Sequence, residues 1–337
     1  MTRRSVLQGG RRRRRAGGAL ALALALAAPV AGVGAAVWVA LDDDATSPTS
    51  VPVATASPVA TASPPAASSG EAAPAADDAA VDLDSVDAFH LRFRHAPRAG
   101  LVFDLDTGEV LWRLNPESRL PMASLTKIMT ALLVAERTQP RERVRITRAA
   151  LAYRGSGVGR LPRGRRVPIE ALLHGLLLPS GNDAAIALAV HVSGDEDDFV
   201  DAMNRRAREL GLDCTRFVSS HGLEAGNRSC AADLAELARL DMREFRIRRV
   251  VRKERAALRF PIRGGRLFLT STNPLLRGDY PGAIGLKTGY TRRAGRCLVG
   301  VARRSGRTLG VALLDSPDPG RQARKLLNKG FHSGRGR

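Results

Sequence analysis

Ser124 and Lys127 set a hydroxyl and an amine three residues apart in the run Ser124-Leu125-Thr126-Lys127. On a helix those two positions share a face. A serine hydroxyl is a poor nucleophile until an adjacent base takes its proton. Lysine can be that base if burial and a neighbouring cation, here Lys287, lower its pKa. Ser180-Gly181-Asn182 adds a second hydroxyl and an amide, and Lys287-Thr288-Gly289 adds a cation, a hydroxyl and a glycine. Together they describe acyl transfer. Ser124 is the expected nucleophile, Lys127 the proton acceptor and Ser180 a relay to the leaving amine. Asn182 would orient Lys127 and hold a substrate amide. Lys287 and Thr288 would bind a carboxylate, and Gly289 would let an extended substrate lie along a strand edge. Each triplet alone has an ordinary reading as a helix cap, a solvated charge or a turn. Three in this order do not.

The elements that must hold these groups follow from periodicity. Strand-like runs at Gly100–Leu105 and Glu109–Trp112 flank the turn Asp106-Thr107-Gly108. A helix is expected to begin near Ser124, with Ile128, Ala131, Leu132 and Ala135 on its apolar flank. Its N-terminus would favour negative charge at the serine. Residues 168–178 predict a buried helix, and Ser180-Gly181-Asn182 turns into another at 183–192. Further helices are expected at 197–210, 231–240 and 321–330. The period changes at 258–262, 266–270, 297–302 and 307–314, four expected strands, with Lys287-Thr288-Gly289 just ahead of the third. Strands at both ends around central helices predict an α+β fold: an antiparallel sheet from both chain ends, packed with helices, plus an all-helical lobe.

Composition divides the chain further. Residues 1–15 hold seven arginines and no acid, and residues 16–41 are apolar apart from glycine and Pro29. That run exceeds the roughly 20 residues needed to cross a bilayer. With arginines before it and Asp42, Asp43 and Asp44 after it, the remainder is expected outside the membrane. The segment reads as a transmembrane anchor or a signal segment, and Arg3-Arg4 also fits a twin-arginine export signal. Residues 42–87 carry nine acids, no lysine or arginine, and a tandem Val-Ala-Thr-Ala-Ser-Pro; they are expected to be a disordered linker rich in Ala, Pro, Ser, Thr and Asp. Residues 88–332 form the expected catalytic domain, and 333–337 a basic tail.

From residue 88 onward, 46 Lys and Arg oppose 24 Asp and Glu, a net charge of +22. Nucleic acid is not the expected partner, because aromatic content is 4% and no basic run interleaves aromatics. Anionic wall polymers or lipid headgroups fit better. Only five lysines stand among 48 arginines, and two of the five are Lys127 and Lys287. Where charge alone is wanted this chain uses arginine, so those two are read as retained for amine chemistry or geometry. Cys214 and Cys230 lie 16 residues apart around a turn-rich loop and could form a disulfide, whereas Cys297 reads as a small core residue. No Cys/His spacing resembles a zinc site, so neither metal nor cofactor is expected.

The triplets match S-x-x-K, S-x-N and K-T-G. With them stand Pro121-Met-Ala-Ser-Leu-Thr-Lys-Ile-Met-Thr-Ala, Leu177-Leu-Pro-Ser-Gly-Asn-Asp-Ala-Ala, Met203-Asn, Leu210-Gly-Leu, His221-Gly-Leu and Gly285-Leu-Lys-Thr-Gly-Tyr-Thr. Over residues 88–332 the chain resembles the low-molecular-mass penicillin-binding proteins, serine D-alanyl-D-alanine carboxypeptidases of the peptidase S11 type. The resemblance implies a serine β-lactamase/DD-peptidase-like fold, peptidoglycan stem peptides ending in D-Ala-D-Ala as substrate, and β-lactams as acylating inhibitors. It implies Ser124 as the acylated residue, Lys127 as proton acceptor, Ser180 as second serine and Lys287 as substrate-binding lysine. An oxyanion hole would come from the Ser124 N–H and one from the Lys-Thr-Gly strand. His221 is expected to be structural. Relatives usually carry Ser or Thr at the position of Cys230. Many members also have a β-rich second domain and a C-terminal anchor; Ser333–Arg337 is too short for either, so anchoring is expected at the N-terminus.

Three other functions compete. A β-lactamase-type hydrolase would need a deacylating glutamate in an E-x-x-L-N pattern, and the nearest approach is Glu209-Leu-Gly-Leu-Asp213, without the asparagine. A DD-endopeptidase would use the same residues on cross-links. A non-catalytic wall-binding protein would not need the complete set.

Overall fold

The computed structural model describes residues 80–159 and 161–333. The expected leader, the apolar segment 16–41, the linker up to residue 79 and the tail beyond Ser333 lie outside the described residues. Among the described residues no helix is long and apolar enough to cross a membrane.

Five antiparallel strands make the main sheet: β1 (Ala99–Asp104), β2 (Val110–Leu114), β3 (Ala283–Thr291), β4 (Gly295–Arg304) and β5 (Arg307–Ser316). Their order is β2-β1-β5-β4-β3. Ala99 opposes Leu314 and Val102 opposes Val311, so the first and last strands pair and the two ends of the domain close one sheet. β1 is buried along its whole length because both sheet faces are covered. Alternating residues divide between them. Leu101, Phe103, Val299 and Ala312 face the core shared with the helices, while Val102, Leu298, Val311 and Leu313 pack under Ala323, Leu326, Leu327 and Phe331.

Those last four side chains belong to the C-terminal helix Pro319–Ser333. The helical side holds α1 (Lys127–Arg137), α2 (Ile169–Leu177), α3 (Asn182–Ser193), α4 (Glu196–Glu209), α5 (Ala231–Arg243) and α6 (Phe245–Val251). In α3, Asn182 through Ala189 are all buried, and the alanine-rich run lets neighbours pack closely. Gly194 ends it at φ 92. Asp195 caps α4 by accepting from the Asp198 N–H at 2.8 Å, with acids in the first turn and arginines in the last.

The α+β architecture is the one the element order implies, with three local differences. Lys287-Thr288-Gly289 lies inside β3, not ahead of a strand. The strand expected at 258–262 runs Arg255–Arg259 and pairs with Arg266–Thr270 as a separate hairpin. Residues 80–87, which composition places in the linker, lie against the domain. The Asp82 N–H donates to Gly108 O at 3.0 Å, Arg113 pairs with Asp87 at 2.7 Å, and Val81 and Leu83 pack on the core.

Candidate active site

Ser124 sits in a single 3-10 turn, Ala123–Thr126, that leads into α1 rather than in the first turn of the α-helix itself. Ala123 is held at φ 50, and Met122 N donates to Asn227 O at 3.3 Å. Strand β3 passes directly in front of this turn. A Cβ on Gly289 would lie 2.8 Å from Met122 O and 3.1 Å from Ser124 N, so glycine alone allows the approach. β3 is the outermost strand of the sheet, which leaves its far edge unpaired for an extended ligand.

Lys127 heads α1 and is fully buried. Its Nζ lies 3.0 Å from Ser124 Oγ, 2.8 Å from Asn182 Oδ1 and 2.6 Å from the carbonyl oxygen of His221. Burial is the main cause that holds this amine well below its ordinary 10.5, and the Lys287 cation adds to it; Asp183 and Glu224 act the other way. A neutral amine has two N–H groups and one lone pair. His221 O can only accept. Asn182 is oriented by its own Nδ2, which donates to Arg154 O at 2.5 Å, so its Oδ1 also faces Lys127 as an acceptor. Both N–H groups are thereby spoken for. A neutral amine so engaged would have its lone pair left for the Ser124 hydroxyl 3.0 Å away, the arrangement a general base requires.

Ser180 occupies the turn between α2 and α3 at φ 66, a left-handed backbone. Its carbonyl accepts from Ser156 Oγ at 2.8 Å, while its own Oγ is buried with no hydrogen-bond partner among the described residues. Lys287, 1% exposed, donates to Thr288 O at 2.8 Å, and burial pushes its amine down to about 7. Thr288 Oγ1 lies 2.6 Å from Thr272 Oγ1. Ser124, Ser180, Thr288 and Gly289 all line one cleft of about 610 Å³, which Tyr290 and Arg296 extend. Lys127, Lys287 and Asn182 stand behind that wall, buried.

Three contributors are not legible as site residues. The backbone carbonyl of His221 serves Lys127, and no side-chain pattern announces a carbonyl. The His221 ring turns elsewhere: its Nδ1 accepts from Leu223 N at 3.3 Å, and burial lowers its pKa. Asp183 is buried and gathers the N–H groups of Val158, Gly159 and Ala184 at 2.8–3.1 Å, fixing the loop that carries Ser156. Thr272 enters from beyond the 255–270 hairpin.

Glu209 ends α4 and pairs with Arg206 at 3.3 Å; no glutamate lines the cleft. Cys214 and Cys230 are joined as a disulfide with Cα atoms 5.6 Å apart, closing the loop that contains His221. Asp233 lies close to both sulfurs, but a disulfide offers no thiolate to a metal. Cys297 is free and buried, its thiol pushed up to about 12 by burial.

The sequence profile Peptidase_S11, described as D-alanyl-D-alanine carboxypeptidase, matches residues 88–318. The chain belongs to the S11 family. This S11 protein is similar to the D-alanyl-D-alanine carboxypeptidase DacF of Bacillus subtilis, 35% identical over 246 residues that are 70% of this chain and 62% of that one. It is 34% identical to DacC of Escherichia coli over 76% of this chain and 64% of the relative. The chain therefore spans less than two thirds of the length of these curated relatives. Among solved structures, the Streptomyces K15 DD-transpeptidase superposes with a TM-score of 0.67 at 32% identity, covering 72% of this chain and all of that one. The D-alanyl-D-alanine carboxypeptidase of Mycobacterium tuberculosis H37Rv gives 0.68 at 33% identity over 74% and 96%.

Proposed function

We propose that this S11 protein is a serine D-alanyl-D-alanine carboxypeptidase acting on peptidoglycan stem peptides. The observation that carries the reading is the buried Lys127 amine, 3.0 Å from Ser124 Oγ, with its other two partners restricted to accepting. Ser124 Oγ bonds to the carbonyl carbon of the penultimate D-alanine as its proton passes to Lys127. The developing oxyanion takes the Ser124 N–H and an N–H of β3, elements that approach closely at Gly289. Collapse breaks the bond to the terminal D-alanine, and its nitrogen receives the proton through Ser180, whose hydroxyl has no competing partner. Water then cleaves the ester and restores Ser124. Lys287 and Thr288 hold the terminal carboxylate, and a substrate carboxylate near Lys287 favours its charged form. Penicillin acylates Ser124 by the same first step.

The absence of glutamate from the cleft lining weighs against fast β-lactamase deacylation. In this reading the domain lies outside the membrane, beyond an N-terminal anchor or signal at 16–41 and a linker from residue 42 onward. Its charge of +22 suits anionic wall polymers or lipid headgroups. Mass spectrometry of a synthetic pentapeptide incubated with the protein tests the activity. A tetrapeptide and free D-alanine are the expected products. A peptide enlarged by a supplied amine would mark transfer instead, and an unchanged pentapeptide would reject the proposal.

A further inference from the structure

The hairpin Arg255–Arg259/Arg266–Thr270 packs on the domain through one face only. Leu267 and Leu269 are buried, and Ala256 and Leu258 pack against the core. The other face carries Arg255, Ala257 and Arg259 on one strand and Arg266, Phe268 and Thr270 on its partner, all exposed. Phe268 is 73% exposed because the residue directly across from it is Ala257, too small to cover the ring. Next along the ladder Arg259 opposes Arg266, and like charges in that position repel. The ring thus stands within a collar of Arg255, Arg259 and Arg266, with Arg263 exposed in the turn beyond.

Acid does not balance this face. Glu254 is the only acid between residues 252 and 270, and it pairs with Arg255 at 3.4 Å. Arg259, Arg263 and Arg266 have no ion-pair partner among the described residues. A soluble polyanion would neutralise the arginines yet leave Phe268 in water. An anionic bilayer answers both: lipid phosphates meet the guanidinium groups at headgroup level, and the ring enters the acyl boundary. Arginine also suits phosphate by its fork of donors.

We propose that this hairpin is a membrane-contact element that seats the domain on an anionic lipid surface, with Phe268 as the inserted side chain and Arg259, Arg263 and Arg266 as phosphate ligands. None of residues 255–270 lines the catalytic cleft, and the proposal does not depend on the proposed reaction. The test uses the full chain carrying Phe268→Trp, reconstituted with phosphatidylglycerol or phosphatidylcholine vesicles, the signal of the new indole taken as the difference from the parent chain. In phosphatidylglycerol its emission is expected to shift to the blue and to be quenched by brominated acyl chains. Both effects should disappear in phosphatidylcholine and in the Arg259→Ser/Arg266→Ser background. Unaltered penicillin acylation reports that each variant is folded. Hydrogen exchange on the unsubstituted chain gives a second reading: amides of 255–270 should be protected by phosphatidylglycerol only. A water-exposed indole with unprotected amides on phosphatidylglycerol overturns the proposal. So does equal quenching in both lipids, or a response to soluble polyphosphate matching that to vesicles.

Discussion

Replacing Lys287 by methionine should make the protein more stable while removing the group proposed to bind the substrate carboxylate. The amine is 1% exposed and burial lowers it from 10.5 to about 7. That separation corresponds to about 5 kcal/mol of unfavourable charge burial. The sign follows from linkage. Between about pH 7 and 10.5 the unfolded chain binds a proton at this lysine that the folded chain does not, so the wild type gains stability as pH rises through that window. Below about pH 7 both states are protonated and the full cost is present. Lys287→Met escapes it and loses one hydrogen bond, to Thr288 O, worth about 1 kcal/mol. The variant should therefore be more stable by on the order of 4 kcal/mol at pH 6, roughly 10 °C in melting temperature for a domain this size. Its advantage should vanish near pH 10. Calorimetry of both proteins at pH 6, 8 and 10 measures the difference, and titrations other than that of Lys127, which the substitution also shifts, cancel in the comparison. A variant that is less stable at pH 6, or whose advantage does not change with pH, would refute the burial argument.

Other outcomes follow from the same geometry. Lys127→Ala should slow acylation by about 10²–10⁴-fold, the usual worth of a positioned general base, measured with a labelled penicillin. In the parent protein, acylation should rise with pH as Lys127 loses its proton, at a pH well below 10.5. The Lys287→Met variant should move that rise to higher pH, because the cation that helps hold Lys127 down is gone. Gly289→Ala forces a Cβ to 2.8 Å from Met122 O, so β3 or the serine turn must shift; acylation should fall by about 10²-fold with little loss of fold, seen as a rate change at constant circular dichroism. Reducing the Cys214–Cys230 disulfide frees a 16-residue loop and should cost about 3 kcal/mol, read as a lower denaturant midpoint with dithiothreitol.

The pairing of Ser124 with Lys127 is legible because three residues along a helical turn is a distance that sequence encodes directly. The hydroxyl belongs to a 3-10 turn, yet the amine still reaches it. The end strands were also readable, since apolar runs such as Leu298–Val301 leave few alternatives. The family resemblance implies a Lys-Thr-Gly strand, but periodicity does not show its extent. A buried lysine and a glycine break the apolar run that marks a strand, so the pattern sets Lys287-Thr288-Gly289 only just ahead of one. The 255–270 hairpin was displaced by three residues in its first strand because Phe260 and Ile262 look like strand positions, whereas the chain already turns there. Contacts made by backbone, above all His221 O on Lys127, leave no side-chain signature. The docking of residues 80–87 was masked by the composition of the acidic, alanine-rich stretch to which they belong.

In the proposed reaction Ser124 is the nucleophile and forms an ester. Intact-mass and peptide mapping of the protein after brief exposure to penicillin tests it most directly. One adduct per chain is expected, on the peptide bearing Ser124, absent from Ser124→Ala and slow to form in Lys127→Ala. An adduct on Ser180 or elsewhere, or an unmodified Ser124 in folded protein, would contradict it.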